Sequence, residues 1–239
     1  MYTNNVVKYN VPKHVAIILD GNRRFSKRLM MKPWKGHEWG AKKVEKLFDW
    51  CKEFEIRELT LYALSVENFN RPKKEFEYLM QLFKTEFKKL EKDERIYNNK
   101  IRINFIGRLW MLPKDIQKTM TQIMEKTKTH KNHIINFALA YGGRAEVIDA
   151  TKKIAEKIKS GEMDIAQINE KTFSENLYLS DEPELIIRTG ESRLSGFLIY
   201  QSAYSEIIFL PNVLWPEFTK EDFTNCLAEY GKRQRRFGK

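Results

Sequence analysis

The sequence predicts an α/β fold in a single domain, with a mostly parallel central β-sheet flanked by helices. Short apolar runs rich in β-branched residues alternate with amphipathic helical patterns along the chain, as in folds built from βαβ units. The 239 residues, 42% of them hydrophobic, are enough for one domain with a sizeable core. No repeat, low-complexity tract or Pro/Gly/Ser-rich linker divides the chain. We therefore expect one domain over residues 1–239.

Six apolar runs are predicted to be strands. The first, HVAIIL, spans residues 14–19 and ends at an Asp-Gly-Asn sequence that favours a turn. The others span residues 58–64, 101–106, 134–140, 185–187 and 207–210. Strands that alternate with helices usually pair in parallel, because the helix carries the chain back to the starting edge of the sheet.

Helical periodicity lies between these runs. Residues 40–54 place apolar side chains at helical spacing. Pro72 opens a long amphipathic helix that extends to about residue 90 and carries phenylalanines and leucines on one face. Further helical patterns cover residues 113–128, 144–159 and 219–230.

The cysteine count and the length of the apolar runs exclude several classes of protein. Cys51 and Cys226 are too few for a disulfide framework or a cysteine-based zinc site, and their apolar neighbours predict buried core thiols. No apolar run approaches the about 18 residues that a membrane-spanning helix needs, and the N-terminus has no apolar signal sequence. We therefore expect a cytoplasmic protein.

The net charge of +11 is confined to two short segments. Residues 21–37 contain six basic residues and no acid, residues 232–239 contain five and no acid, and the other 32 basic residues balance the 32 acidic ones. A basic excess indicates nucleic acid, an anionic membrane or phosphorylated substrates as partners. Because the rest of the chain carries no basic excess, we expect no nucleic acid partner.

The end of the first predicted strand carries the first candidate site. Asp20 leaves this strand and precedes Gly21, Asn22, Arg23 and Arg24. Ligands of open α/β sheets bind beyond the carboxyl ends of strands, and backbone N–H groups and guanidinium forks suit phosphate oxygens. The carboxylate would repel such an anion unless Mg²⁺ lay between them. An ordinary Asp-Gly-Asn turn with solvated arginines is the alternative.

Two further strand ends carry polar clusters. Ser65, Glu67, Asn68 and Arg71 follow the second strand, although serine and asparagine there also suit caps and turns. The later segment contains Arg188, Arg193 and Ser195, and Glu206 adds an acid close to the last strand. Several arginines with two acids, Asp20 and Glu206, predict a diphosphate site with a metal.

Other chemistries have little support in the sequence. No GxxxxGK[ST] or GxGxxG phosphate loop occurs, and the paired-carboxylate motif DDxxD is absent. His130 and His133 lie three residues apart on a predicted basic helix end, where a solvated face is expected in preference to a metal site.

Seven blocks of the sequence resemble the cis-prenyltransferases, also called undecaprenyl diphosphate synthases, in the order of that family and over nearly the whole chain. The blocks are HVAIILDGNRRFSK, GHEWGAKK, LTLYALSVENFNRPKKE, YGGR, IIRTGESRLSGFLIYQSAYSEIIF, LWPEF and RRFG. The resemblance implies a homodimeric, Mg²⁺-dependent enzyme with an apolar tunnel. Such an enzyme condenses isopentenyl diphosphate repeatedly onto an allylic diphosphate to make a long polycis-polyprenyl diphosphate, the precursor of a glycosyl carrier lipid.

The resemblance also implies residue roles. Asp20 and Asn68 would act in catalysis, Asp20 in ionisation of the allylic diphosphate and Asn68 at the position often proposed as proton acceptor. Asp20 and Glu206 would hold the metal. Arg236 and Gly238 would complete the site across the dimer. The residues implied to bind substrate are Gly21, Asn22, Arg23, Arg24, Phe25, His37, Ser65, Val66, Glu67, Phe69, Arg71, Arg188, Arg193, Leu194, Ser195, Arg236 and Gly238.

Three departures from the family pattern affect these roles. Pro33 stands where the family commonly has a basic residue, so Lys32 or Lys35 is expected to replace it. The segment from Arg188 to Arg193 is one residue shorter than the common bacterial form. Asn68 is an amide and a weak base, so we expect it to position a proton path.

The sequence leaves alternatives for the primer, the tunnel wall and the function. The DGNRR and SVENF blocks are closer to archaeal and eukaryotic relatives, which favours geranylgeranyl over farnesyl diphosphate as primer. The aromatic and leucine side chains of residues 72–90, with Ile135 and Phe137, are candidates for the tunnel wall or for ordinary core. A non-catalytic subunit of a heteromeric enzyme is the alternative function, and some lysines are candidates for peripheral contact with an anionic membrane.

Overall fold

The computed structural model describes residues 10–233. Its strands are β1 (His14–Ile18), β2 (Glu58–Tyr62), β3 (Ile101–Ile106), β4 (His133–Ala138), β5 (Leu185–Thr189) and β6 (Glu206–Leu210). They form one sheet in the order β3-β4-β2-β1-β5-β6, and every neighbouring pair is parallel. The α/β class and all six predicted strands are therefore confirmed, with ends that move by at most two residues.

Eight α-helices occur in this part of the chain. They are α1 (Asn22–Arg28), α2 (Gly36–Glu53), α3 (Lys73–Lys92), α4 (Glu94–Asn98), α5 (Lys114–Thr127), α6 (Gly143–Lys159), α7 (Glu170–Ser174) and α8 (Lys220–Lys232). The five predicted helices are confirmed, but α2 begins four residues earlier than its apolar periodicity indicates. The turn expected at Asp20, Gly21 and Asn22 ends at Gly21, because α1 begins at Asn22 and places Arg23 and Arg24 on its first turn.

The two faces of the sheet are packed differently. Val15 and Ile17 of β1 belong to the larger core, together with apolar side chains of α2, α3, α5 and α8. Ala16 and Ile18 face a smaller cluster built mainly from the sheet and residues 178–198. All residues of the central strands β1, β2 and β5 are buried, which explains their continuous apolar runs.

Cysteine and histidine predictions have different outcomes. Cys51 and Cys226 are buried free thiols, as predicted, and burial raises the pKa of both. The prediction of a solvated helix end for His130 and His133 is wrong. Nδ1 of the buried His130 lies 2.8 Å from the Ile101 carbonyl oxygen, and His133 begins β4 with its Nδ1 3.1 Å from the Ile56 carbonyl oxygen.

A buried polar network crosses the amino-terminal half of the sheet. Asn136 donates from Nδ2 to Glu58 Oε1 at 2.7 Å and to Thr60 Oγ1 at 2.9 Å, and His14 Nε2 lies 2.8 Å from the same threonine oxygen. Burial raises the pKa of Glu58 to about 7 and lowers that of His14 to about 4. His14 is therefore uncharged in the folded protein near neutral pH, whereas Glu58 is about half protonated there.

Replacement of Glu58 by glutamine should stabilise the protein at high pH. The raised pKa means that Glu58 favours folding fully below its unfolded value of 4.5, and that this contribution is lost as pH rises through about 7. Glu58→Gln should therefore exceed the wild type at pH 8 by up to about 3 kcal/mol in free energy of unfolding, and match it near pH 4. Urea titrations at both values measure this. Glu162→Gln, at an exposed acid, is the control, and an equal difference at both pH values would contradict the prediction.

Candidate active site

The carboxyl ends of three adjacent strands meet at one edge of the sheet. Ile18 of β1 pairs with Tyr62 of β2 on one side and with Arg188 of β5 on the other. The segments that follow these strands therefore converge, as expected for a site beyond the strand ends. They include Asp20 after β1 and Ser65 after β2.

Asp20 lies at the centre of this edge. Its Oδ2 accepts from Arg188 Nη2 at 3.0 Å and lies 3.3 Å from Arg24 Nη2. Its Oδ1 accepts from the Gly21 N–H at 2.6 Å, and its carbonyl oxygen accepts from Thr189 Oγ1 at 2.8 Å. The carboxylate is thus fixed by two arginines, yet 34% of the side chain stays exposed and accessible to a ligand.

Arg188 is a buried arginine that joins two segments of the site. Nη2 binds Asp20, while Nη1 donates to Ser195 Oγ at 2.7 Å and to the Arg193 carbonyl oxygen. Its Nε is buried and has no hydrogen-bond partner among the described residues. The guanidinium therefore fixes the shape of the 188–195 segment beside Asp20. Arg193 is exposed and pairs with Glu191 at 2.9 Å.

Two glycines let the backbone come close to the side chains of Arg24 and Asn22 and so position them. Nη1 of Arg24 donates to the Gly190 carbonyl oxygen at 2.7 Å, and a Cβ on Gly190, whose φ is +78°, would lie 2.4 Å from Arg24 Nη2. On α2, a Cβ on Gly40 would lie 2.3 Å from Asn22 Oδ1. Glycine at both positions lets α1 pack against β5 and α2. The same Asn22 oxygen is buried without a partner in the described part of the chain.

The segment after β2 is a capped 3₁₀ turn, Val66–Asn70. Asn68 Oδ1 accepts from the Ser65 N–H at 3.2 Å, so the side chain that the resemblance links to catalysis also shapes the turn. The remaining polar group of Asn68 is an amide nitrogen, which donates hydrogen bonds and is not a base. Glu67 is exposed at the same turn.

The buried carboxylate of Glu75 holds two arginines on the other side of the site. Glu75 Oε1 accepts from Arg71 Nη1 at 2.8 Å and lies 3.5 Å from Arg23 Nε. Arg71 Nη1 also lies 3.4 Å from His37 Nε2. Burial and the charges of Arg71 and Arg23 lower the pKa of His37 to about 3, and burial lowers that of Arg71. His37 is therefore neutral, and because a guanidinium only donates, Nε2 accepts and Nδ1 carries the proton.

Glu75 is a site residue that the sequence argument omitted. An acid in the first turn of a helix is common, because it interacts favourably with the helix dipole. Its position in the NRPKKE block, four residues after Arg71, was the available signal for an ion pair at the start of the helix.

Glu75→Gln should weaken substrate binding. Loss of the charge leaves Arg23 and Arg71 mutually repulsive, so the KM for the allylic diphosphate implied by the resemblance should rise about tenfold, with a smaller fall in kcat. Initial rates at varied allylic diphosphate measure this. Glu77→Gln, at an exposed acid of the same helix paired with Lys73, is the control and should leave KM unchanged. An unchanged KM in Glu75→Gln would contradict the assigned role.

A cavity of about 960 Å³ connects this polar edge to an apolar interior between α2 and α3. Its apolar wall along α3 extends from Leu79 to Leu90, which corresponds to roughly 17 Å of helix. Charged side chains, among them Glu86 and Arg95, line its far end. The predicted site residues that line it are Asp20, Gly21, Asn22, Arg23, Arg24, His37, Ser65, Glu67, Asn68, Arg71, Arg188, Arg193 and Ser195.

The candidates for the tunnel wall divide between cavity and core. Leu79, Leu82, Phe83, Phe87, Leu90 and Phe137 line the cavity. Ile135 is instead a buried core residue, and Phe76 packs against Phe69 with ring centroids 4.9 Å apart.

Several predicted binding residues lie elsewhere. Phe25 is buried, packs on Trp39 with ring centroids 5.7 Å apart and does not line the cavity. Val66 and Phe69 are also absent from the cavity lining, and Leu194 packs on the smaller core cluster. Lys27 lines the cavity beside Pro33, whereas Lys32 and Lys35 do not.

Glu206 does not meet Asp20 within one chain, so the expected pair of metal-binding acids is not assembled there. It is the first residue of β6 and pairs with Leu185, at the amino-terminal edge of the parallel sheet, whereas Asp20 follows the carboxyl end of β1. Its Oε2 accepts from Arg233 Nη1 at 2.6 Å. Arg236 and Gly238 lie outside the described residues.

The donor set at Asp20 fits a metal that is shared with substrate. No group of three or more His, Cys, Asp or Glu side chains with metal-binding geometry occurs within residues 10–233. Mg²⁺, however, is commonly held by one or two carboxylates together with substrate phosphates and water. One partly exposed carboxylate among arginines fits that pattern.

Comparison with known proteins returns one family. The chain matches the prenyltransferase family model of undecaprenyl diphosphate synthases over residues 18–238. It is 47% identical over 232 residues to the tritrans,polycis-undecaprenyl-diphosphate synthase (geranylgeranyl-diphosphate specific) of Methanopyrus kandleri, covering 96% of this chain and 85% of that protein. The enzyme of the same name from Thermococcus kodakarensis is also 47% identical, over 233 residues that cover 96% of this chain and 88% of that protein.

A solved structure shares the fold. The crystal structure of lavandulyl diphosphate synthase from Lavandula x intermedia in complex with dimethylallyl diphosphate superposes with a TM-score of 0.90 at 33% identity, covering 96% of this chain and 99% of that chain.

Proposed function

The chain belongs to the undecaprenyl diphosphate synthase family of cis-prenyltransferases, and on that premise we propose that it extends an allylic diphosphate by successive cis-condensations with isopentenyl diphosphate. The observation that carries this proposal is the cavity of about 960 Å³ that joins an arginine-rich polar mouth to an apolar interior. Such a shape suits an amphiphile whose diphosphate stays at the mouth while its hydrocarbon grows inward.

The mouth is suited to a departing diphosphate. As the allylic carbon–oxygen bond breaks, its electron pair leaves with the diphosphate and positive charge develops on the hydrocarbon. Arg23, Arg24 and neutral His37 are proposed to bind that diphosphate, and Arg188, Arg193 and Ser195 to bind isopentenyl diphosphate. Because Asp20 and Glu75 already orient most of these arginines, little reorganisation is needed when the charge develops.

Asp20 is the residue that would hold Mg²⁺. Bound there, Mg²⁺ would act as a Lewis acid that neutralises charge on the leaving oxygens. Glu206 would join that site only from outside the chain that holds Asp20, since the two lie at opposite edges of the sheet.

Asn68 is proposed to act by positioning. Its side-chain Oδ1 accepts from the Ser65 N–H, and its amide nitrogen would donate to diphosphate or solvent near the reacting carbon. This role agrees with the expectation that an amide directs a proton path without accepting the proton itself.

The apolar wall shields the cation and retains the growing chain. Exclusion of water protects a reactive hydrocarbon cation from capture. Each added five-carbon unit contributes roughly 4 kcal/mol of hydrophobic burial at about 0.8 kcal/mol per carbon. Release of a long product is therefore expected to be slow.

The finer assignments are also proposals. The names of the relatives above and the DGNRR and SVENF blocks support geranylgeranyl diphosphate as primer over farnesyl diphosphate. We assign the product as a long polycis-polyprenyl diphosphate that serves as the precursor of a glycosyl carrier lipid. A homodimer, cytoplasmic location and peripheral membrane contact complete the proposal. Among residues 10–233, no helix is long and apolar enough to cross a bilayer.

Incubation of the purified protein with labelled isopentenyl diphosphate, Mg²⁺ and either primer tests the function. Geranylgeranyl diphosphate should give a ladder of extended products by chromatography and be consumed faster than farnesyl diphosphate, and native mass measurement should give a dimer. Extension by the purified chain would also exclude a non-catalytic subunit. No extension with any primer would refute the proposal.

A further inference from the structure

An exposed apolar surface lies beside the mouth of the cavity. It consists of Leu29, Met30 and Trp39, whose exposed fractions are 47%, 95% and 51%. Leu29 follows Phe25 by one turn of α1, and the Trp39 ring packs on Phe25. The three residues are here named the α1-tip patch, in which Trp39 covers the buried Phe25 ring and Leu29 and Met30 directly follow α1.

The backbone at Met30 exposes this side chain at an energetic cost. Its φ is +53°, a left-handed conformation that favours glycine, and its N–H closes the turn by donating to the Lys27 carbonyl oxygen at 3.1 Å. A long apolar side chain at such a position is unfavourable in water, and no folded-state contact of the described residues accounts for it. Binding to an apolar medium would offset that cost.

Basic side chains surround the patch. Lys27, Arg28, Lys32 and Lys35 are all exposed. The acids that face them are Glu217, which pairs with Arg28, and Glu38, which lies 3.0 Å from Lys35. Neither Lys27 nor Lys32 has a carboxylate within 4.0 Å in the described part of the chain, so the patch is apolar at its centre and positive at its rim.

We propose that the α1-tip patch docks the protein on a bilayer that contains anionic lipids. An apolar tip that enters the headgroup region, with lysines that contact anionic headgroups, fits such a surface. A second copy of the chain fits less well, because a two-fold interface would bring like charges together. Lys27 and Pro33 of the same segment line the cavity mouth, so docking would hold the mouth at the interface where lipid substrates enter. This last consequence rests on the proposed function.

Vesicle sedimentation without substrates tests the docking independently of catalysis. The full-length protein should sediment with phosphatidylcholine vesicles that contain phosphatidylglycerol, less with phosphatidylcholine alone, and less at high salt. Met30→Gly suits the backbone and removes the apolar tip, so it should lower partitioning about tenfold without lowering the melting temperature. The extension rate with a short, water-soluble primer should stay unchanged. Ile165→Gly, at a residue that is 71% exposed elsewhere on the surface, is the matched control and should bind as the wild type does.

Fluorescence gives a second measurement that does not depend on Met30. Lipids with brominated acyl chains should quench the emission of Trp39, and the quenching should be lost in Trp39→Phe. Equal sedimentation of wild type and Met30→Gly, absence of sedimentation with either vesicle, or a change of oligomeric mass in Met30→Gly would each overturn the proposal. Failure of the extension assay with intact vesicle binding would instead refute only the proposed function.

Discussion

Asp20→Asn is expected to lower kcat for prenyl extension at least about 1,000-fold while the protein stays folded. Asparagine keeps the shape of the side chain and one oxygen acceptor for Arg24 and Arg188. It removes the negative charge that would hold Mg²⁺ beside a substrate diphosphate. Steady-state extension assays, together with circular dichroism and thermal melting, separate the chemical effect from unfolding.

Asp20→Ala should have an equal effect on kcat and a larger effect on stability. It leaves the buried Arg188 without its carboxylate, and a buried charge that loses its partner destabilises the folded state. Asp49→Ala is the matched control, since Asp49 also faces an arginine, at 3.7 Å from Arg95 Nη1, but lies on an exposed face of α2. Near wild-type turnover in Asp20→Asn would contradict the role assigned to this carboxylate.

The sheet could be predicted from the sequence because its signal is local. Each central strand is buried on both faces, so it appears as an unbroken apolar run between turn residues. The helix α1 could not be found in this way. Its sequence NRRFSKR contains one apolar residue, Phe25, so no periodicity exists to detect. It forms because Gly21 turns the chain and because Phe25 packs in tertiary structure.

The polar mouth was predicted to a large extent, and the exceptions have physical causes. Asp20, Arg24 and Arg188 follow predicted strands, and parallel pairing brings these strand ends together. Glu75 was missed because its importance comes from burial between Arg23 and Arg71, whereas its spacing from Arg71 indicates only an ion pair and not that burial.

The placement of Glu206 was open to a better argument from the sequence. It precedes the last apolar run, so in a parallel sheet it belongs at the edge opposite to Asp20. Residue type and proximity to a strand were insufficient to place Glu206 at one edge of the sheet. The direction of that strand was also needed.

Arg188→Lys is expected to lower kcat/KM for isopentenyl diphosphate about 100-fold, although the charge is kept. The guanidinium binds Asp20 through Nη2 and Ser195 through Nη1 at once, and a lysine ammonium cannot reproduce that planar fork. The Ser195 segment and the Asp20 carboxylate would then lose their common orientation. A 100-fold loss corresponds to about 2.7 kcal/mol, which is within the range for a charged hydrogen bond left unmade.

A second arginine provides the control for this substitution. Arg108 forms the same kind of fork with Asp149, through Nε at 2.8 Å and Nη2 at 2.9 Å, but does not line the cavity. Arg108→Lys should therefore cost stability without changing kcat/KM. If Arg188→Lys retained kcat/KM within a few-fold, its charge alone would be sufficient. The fork that joins Asp20 to Ser195 would then have no part in orienting isopentenyl diphosphate.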